Sequence, residues 1–119
     1  MKLLNNYTYE IKKSKFIGYY YEVSSQEEAE SIIKQIKEDN KKARHVVYAY
    51  KVGPIIKKTD DKEPKNTAGM PIYNTIIRNN LDNRLIVIVR YFGGTLLGVG
   101  PLTRSYSTVS NEVIKCEDK

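Results

Sequence analysis

Residues 85–106, LIVIVRYFGGTLLGVGPLTRSY, decide how this chain is read. Leu85, Ile86, Val87, Ile88 and Val89 form an apolar run without alternation, rich in β-branched side chains. Such a run reads as a strand buried on both faces. Arg90, Tyr91 and Phe92 end it with a charge and two rings, and Gly93-Gly94 break it. Gly98 and Gly100 keep the backbone permissive, and Pro101 suits the first turn of a helix. The unit is strand, glycine-rich loop, helix, with Arg90 and Arg104 on either side of the loop. That combination marks a candidate site.

The flanking residues supply the other elements. After Pro101, Leu102, Tyr106, Val109 and Val113 recur at helical spacing as a core face. Before the apolar run, Thr67 is placed to cap a helix with Pro71 in its first turn and Ile72, Ile76 and Ile77 inward. Near the start, Ser25 and Glu28 have capping-box spacing, in which each side chain satisfies a free backbone N–H of the other. Ala29, Ile32, Ile33 and Ile36 follow as one apolar stripe, and Asp39-Asn40 end that helix. Strands are expected at residues 7–12, 16–23 and 44–52, with a short one at Ile55-Ile56 after the Gly53-Pro54 turn. Residues 59–71 are a polar loop. The order ββαββαβα predicts an α+β two-layer sandwich, with a small mixed sheet and helices on one face.

Composition narrows the function classes. A chain of 119 residues makes one domain with a real core. Its 40% hydrophobic and 29% charged residues are those of a soluble globular protein, and no apolar run nears the ~20 residues of a membrane span. The N-terminus has no sustained apolar segment of the signal-peptide kind. Cys116, the single cysteine, has no disulfide partner and no metal-ligand neighbour, so a reducing, cytoplasmic setting is expected. A net charge of +6, with basic residues in excess across positions 41–65, favours an anionic partner or a lysine-rich solvated surface.

Three constellations bear on chemistry. The glycine loop resembles a phosphate cradle, yet no GK[ST] follows it, and Gly98-x-Gly100-x-x-Thr103 lacks the third glycine of a dinucleotide fingerprint. Its flanking arginines suit an anion, because guanidinium pairs well with phosphate. Asp60, Asp61 and Glu63 can bind a cation or share a proton, or pair with Lys62 and Lys65. Asp60 or Asp61 can also accept from Arg90 or Arg104 and lock the loop to the strand end. His45, the sole histidine, is either a general base or a packed, hydrogen-bonded residue.

Taken together, these motifs resemble the YigZ/IMPACT family, in its bacterial YigZ-like branch. The resemblance spans residues 14–106: Ser14-Lys15-Phe16-Ile17, Ala43-Arg44-His45 leading to Tyr48-Ala49-Tyr50, and Asp60-Asp61-x-Glu63-Pro64 running into Thr67-Ala68-Gly69-x-Pro71-Ile72. It ends with Arg90-Tyr91-Phe92-Gly93-Gly94 and Leu97-Gly98-x-Gly100-x-Leu102-x-Arg104-x-Tyr106. It implies the family's N-terminal domain, similar in fold to the second domain of ribosomal protein S-five and to domain IV of elongation factor G. Such domains contact RNA, whereas IMPACT-like members act through protein contacts that relieve starvation-kinase control of translation. The family loop reads DDGEPSGTAG, so Lys62 stands where it has glycine, and Lys65 and Asn66 stand for its small residues. The chain is expected to be a single domain of residues 1–119, without the ferredoxin-like domain that longer bacterial members carry.

The leading expectation is a non-enzymatic domain that binds RNA or a ribosome-associated factor, without a cofactor, a metal or a membrane. Arg90 and Arg104 would contact phosphate, Gly93 and Gly94 would allow close backbone approach, and Tyr91 or Phe92 would stack on a base. Asp60, Asp61 and Glu63 would close one side, with His45, Lys62 and Lys65 in support. The alternatives are a protein-interaction module and a metal-assisted hydrolase built on Asp61, Glu63 and His45.

Overall fold

The computed structural model describes residues 2–118; Met1 and Lys119, the expected domain ends, lie outside them. The first two strands, β1 (Lys2–Ile11) and β2 (Ser14–Glu22), form a hairpin. Lys12 and Lys13 join them with φ of 47° and 67°, the left-handed pair that a two-residue type I′ turn requires. β1 begins five residues before the expected strand, because Lys2 to Asn6 continue the ladder against β2 through an irregularity at Leu3/Asn5.

Helix α1 (Gln26–Asp39) starts where the capping spacing places it. The Ser25 hydroxyl accepts the Glu28 N–H at 3.1 Å, while the Glu28 carboxylate takes the N–H of Ser24 at 2.8 Å, one residue before the expected donor. Strands β3 (His45–Val52) and β4 (Ile55–Thr59) form a second hairpin through Gly53-Pro54. Helix α2 (Gly69–Arg78), strand β5 (Arg84–Tyr91) and helix α3 (Val99–Val113) complete the order, followed by a 3₁₀ turn at Ile114–Asp118.

The α+β class expected from the sequence is the one observed, with two corrections. The sheet runs β1-β2-β5-β3-β4 and every pairing is antiparallel, so it is not mixed. The helices do not share one face. Ile86 and Ile88 of β5 pack with Phe16, Tyr20, Ile72, Ile76, Tyr106 and Val109, on the side of α2 and α3. Leu85, Val87 and Val89 pack with Ile32, Ile33, Ile36 and Tyr48, on the side of α1. A central strand that is apolar on both faces needs cover on both, so one helical layer cannot suffice. The two-layer expectation becomes three layers.

Two local expectations for α2 also change. Ile77 is 39% exposed rather than inward. Thr67 does not cap the helix; its hydroxyl donates to the Pro64 carbonyl at 2.5 Å. The first N–H groups are instead taken from across the loop by Asp60, which accepts from Asn66 at 2.9 Å, Ala68 at 3.2 Å and Gly69 at 2.9 Å. A carboxylate at that position satisfies orphan donors and complements the helix dipole.

Candidate functional site at the basic end of the sheet

Three connections meet where β5 ends. Phe16 of β2 and His45 of β3 both flank Arg90, and Lys15 flanks Tyr91. The chain then crosses the β1–β2 turn so closely that a Cβ on Gly93 would lie 2.0 Å from the Lys13 carbonyl oxygen. Only glycine fits there. Gly94 follows at φ 93°, again a conformation that favours glycine. This crossing sets the exposed Lys12, Lys13 and Lys15 beside residues 91–93. From the other side comes Arg44, exposed, whose N–H donates to the Arg90 carbonyl at 2.8 Å. Its guanidinium stands 4.5 Å from the Phe92 ring centroid. Glu10, opposite Lys15, and Asp39, at the end of α1, are acids at the same end.

Beneath this rim lies a buried polar cluster. Arg90 and Glu63 are 5% and 7% exposed, and Arg90 Nη1 donates to both Glu63 carboxylate oxygens at 2.9 and 2.8 Å. The Tyr106 hydroxyl donates to Glu63 Oε2 at 2.5 Å, and His45 Nε2 lies 3.3 Å from Oε1. His45 Nδ1 is 2.6 Å from the Asp61 carbonyl oxygen, which can only accept. Burial, reinforced by the Glu63 charge, pushes the Tyr106 hydroxyl far above its ordinary range, so it stays a donor. A buried ion pair needs its remaining lone pairs satisfied, and the Tyr106 hydroxyl does this at one Glu63 oxygen. The Arg90 guanidinium also lies 5.4 Å from the Phe16 ring and 5.8 Å from the Phe92 ring, the geometry of a cation over an aromatic face.

Above the cluster is an open cleft of about 210 Å³. Phe92, Leu96, Leu97 and Leu102 form its apolar walls, His45, Glu63 and Arg90 its polar floor, and Arg44 stands at the mouth.

The structure thus gathers Arg90, Phe92, Glu63 and His45 in one place. Glu63, rather than Asp60 or Asp61, takes Arg90. Asp60 holds the start of α2, and the Asp61 carboxylate accepts the Val46 N–H at 2.7 Å. Tyr91 faces the α1 side and donates to Asn40 Oδ1 at 2.5 Å. Arg104 is exposed on α3, lying back over Gly100, and is not among the cleft's lining residues. Lys62 and Lys65 are exposed in the acidic loop, and Lys62 keeps a left-handed φ of 69° where the family loop has glycine. Among the described residues, no three His, Cys, Asp or Glu side chains are grouped as metal ligands. The same residues include no helix long and apolar enough to cross a membrane. The sequence reading left Lys13 and Lys15 between two expected strands and put Arg44 in a motif, but did not join them to the strand end. Two basic connections flanking the same strand register were the available signal.

An antiparallel sheet covered by helices on both faces, with basic residues beside a buried arginine–glutamate pair, defines an α+β domain. Residues 12–114 match the Impact N-terminal domain, and the chain belongs to that family. The motifs that carried the resemblance therefore led to the right family. The chain is 39% identical over 105 residues to IMPACT family member YvyE of Bacillus subtilis (strain 168), covering 86% of this chain and 48% of YvyE. A solved structure described as that of a hypothetical protein agrees at a TM-score of 0.90 and 30% identity, over 93% of this chain and 56% of the other. The two-domain translational regulator Yih1 shares the fold at a TM-score of 0.59 and 23% identity, over 97% of this chain and 46% of Yih1. The chain spans about half the length of each of these relatives.

Proposed function

We propose that the basic end of the sheet binds RNA, in a role connected with translation. One observation carries this reading: the Gly93 crossing and the Arg44–Phe92 contact bring cations from two connections together at the end of β5. A local excess of cations beside exposed or half-exposed rings is the footprint of a surface that tracks a phosphate backbone. The net charge of +6 acts in the same direction at long range. Kinship with a domain of a translational regulator supports the setting. Arg90 acts by orientation: held by Glu63, it anchors the strand end that presents Phe92.

The test is RNA affinity measured across salt concentrations. The triple variant Lys12→Gln, Lys13→Gln, Lys15→Gln changes only exposed side chains. It is expected to weaken binding and to flatten the slope of log affinity against log salt by about 2, at roughly 0.7 for each single-strand phosphate contact. An unchanged slope would remove this surface from the interface. Arg90→Ala is a poor probe, because it leaves Glu63 buried without its counter-charge.

The second reading is a protein-interaction module, favoured by Leu96 and Val99, which are 82% and 62% exposed beside the cleft. A partner whose association survives RNase and is lost in Leu96→Asp would support it over RNA.

A further inference from the structure

We propose that the cleft receives one unstacked base of a single-stranded RNA, which makes this end selective for single strands over duplex. The inference rests on the reading that the basic end binds RNA, and it specifies which RNA. Size comes first: about 210 Å³ is below the roughly 300 Å³ at which pockets begin to enclose drug-sized ligands. A space on that scale suits a single planar ring system. The chemistry of the lining comes second. Phe92, Leu96 and Leu97 offer apolar flanks for the faces of a ring, while His45, Glu63 and Arg90 offer a polar floor to its edge. Nucleobases have this division of apolar face and polar edge, and unstacked bases are recognised on aromatic rings and guanidinium planes.

Arg44 supplies such a plane at the mouth. One face of its guanidinium lies against Phe92 at 4.5 Å from the ring centroid, and the residue is exposed. Leu96, another lining residue of the cleft, is a leucine held 82% in water. It is carried between Gly94, at φ 93° with open space where a Cβ would be, and Gly98. A base seated against Arg44 and Leu96 would remove that apolar surface from water. Bases of a duplex are paired and stacked inside the helix, so they reach this cleft only after unpairing.

The experiment compares binding of an eight-nucleotide RNA with that of the same strand annealed to its complement, at one low salt concentration, for three proteins. These are the unaltered chain, Leu97→Trp, which fills the cleft, and Leu96→Asp, which changes an exposed side chain outside the packed core. The unaltered chain is expected to prefer the single strand by about tenfold or more, the lower range for one stacked base. Both variants are expected to bring the preference to within about twofold. A 2-aminopurine in the strand should change emission on binding to the unaltered chain and not to Leu96→Asp. Equal affinity for strand and duplex overturns the inference and leaves RNA binding by the basic end standing. A preference that survives both substitutions also overturns it, since the base would then be held elsewhere. Absence of binding to either RNA overturns both readings.

Discussion

Removing the Glu63 carboxylate would leave Arg90 buried without a counter-charge, and the Tyr106 hydroxyl without its acceptor. Breaking such a pair from one side costs about 3–5 kcal/mol, because a lone buried charge is worse than none. Glu63→Ala is therefore expected to lose stability in that range by chemical denaturation; a loss below about 1 kcal/mol would show that Arg90 finds water or another partner. The acidic cluster and its nearness to arginine were legible in the sequence. Which acid takes Arg90 was not. That choice depends on Asp61 and Lys62 both adopting left-handed φ, 44° and 69°, which turns the chain so that Glu63 enters the core. A lysine in place of the family's glycine gives no local sign that it will accept this conformation. Nor does a local window show that Asp60, not Thr67, will cap a helix nine residues on.

The elements repeat the contrast between local and long-range information. The stripe of α1 and the core face of α3 follow from side-chain period and strand β5 from an unbroken apolar run, and each lies where its residues predict. Placement of α1 on the far face was implicit in the doubly apolar run of β5, but it needed the sheet order to become explicit. The Gly93 crossing was beyond sequence reasoning. Gly93-Gly94 looked like a ligand cradle, whereas Gly93 is needed for the approach of the chain's own β1–β2 turn. Gly93→Ala is expected to cost about 1–3 kcal/mol, the range for overpacking a closed contact. Hydrogen exchange should show the loss at the β1–β2 turn first; uniform exchange across the sheet would mean that the contact does not hold the turn.

Across the whole molecule the two ends of the sheet are built differently. At the end away from the cleft, Arg84 pairs with Glu117 at 2.8 Å, and the Tyr20 hydroxyl donates to the same carboxylate at 2.6 Å. These bonds hold the Glu117 carboxyl below the usual range, while burial and the bond to Glu117 push the Tyr20 hydroxyl up. Asp82 is likewise held low by the Gly53 and Asn83 N–H groups. Arg84 with Glu117 and Lys51 with Asp82 are thus matched within the fold. At the cleft end the exposed Lys12, Lys13, Lys15 and Arg44 stand over an ion pair that is already closed. The account's central claim is that RNA binds at this end, and an NMR titration of the amide resonances with a short single-stranded RNA at low salt tests it most directly. Shifts are predicted to cluster at Lys12 to Lys15, Arg44 and Tyr91 to Leu97, and to shrink as salt is raised. Shifts centred instead on Gly53, Asp82 and Arg84, or no shifts at low salt, would contradict it.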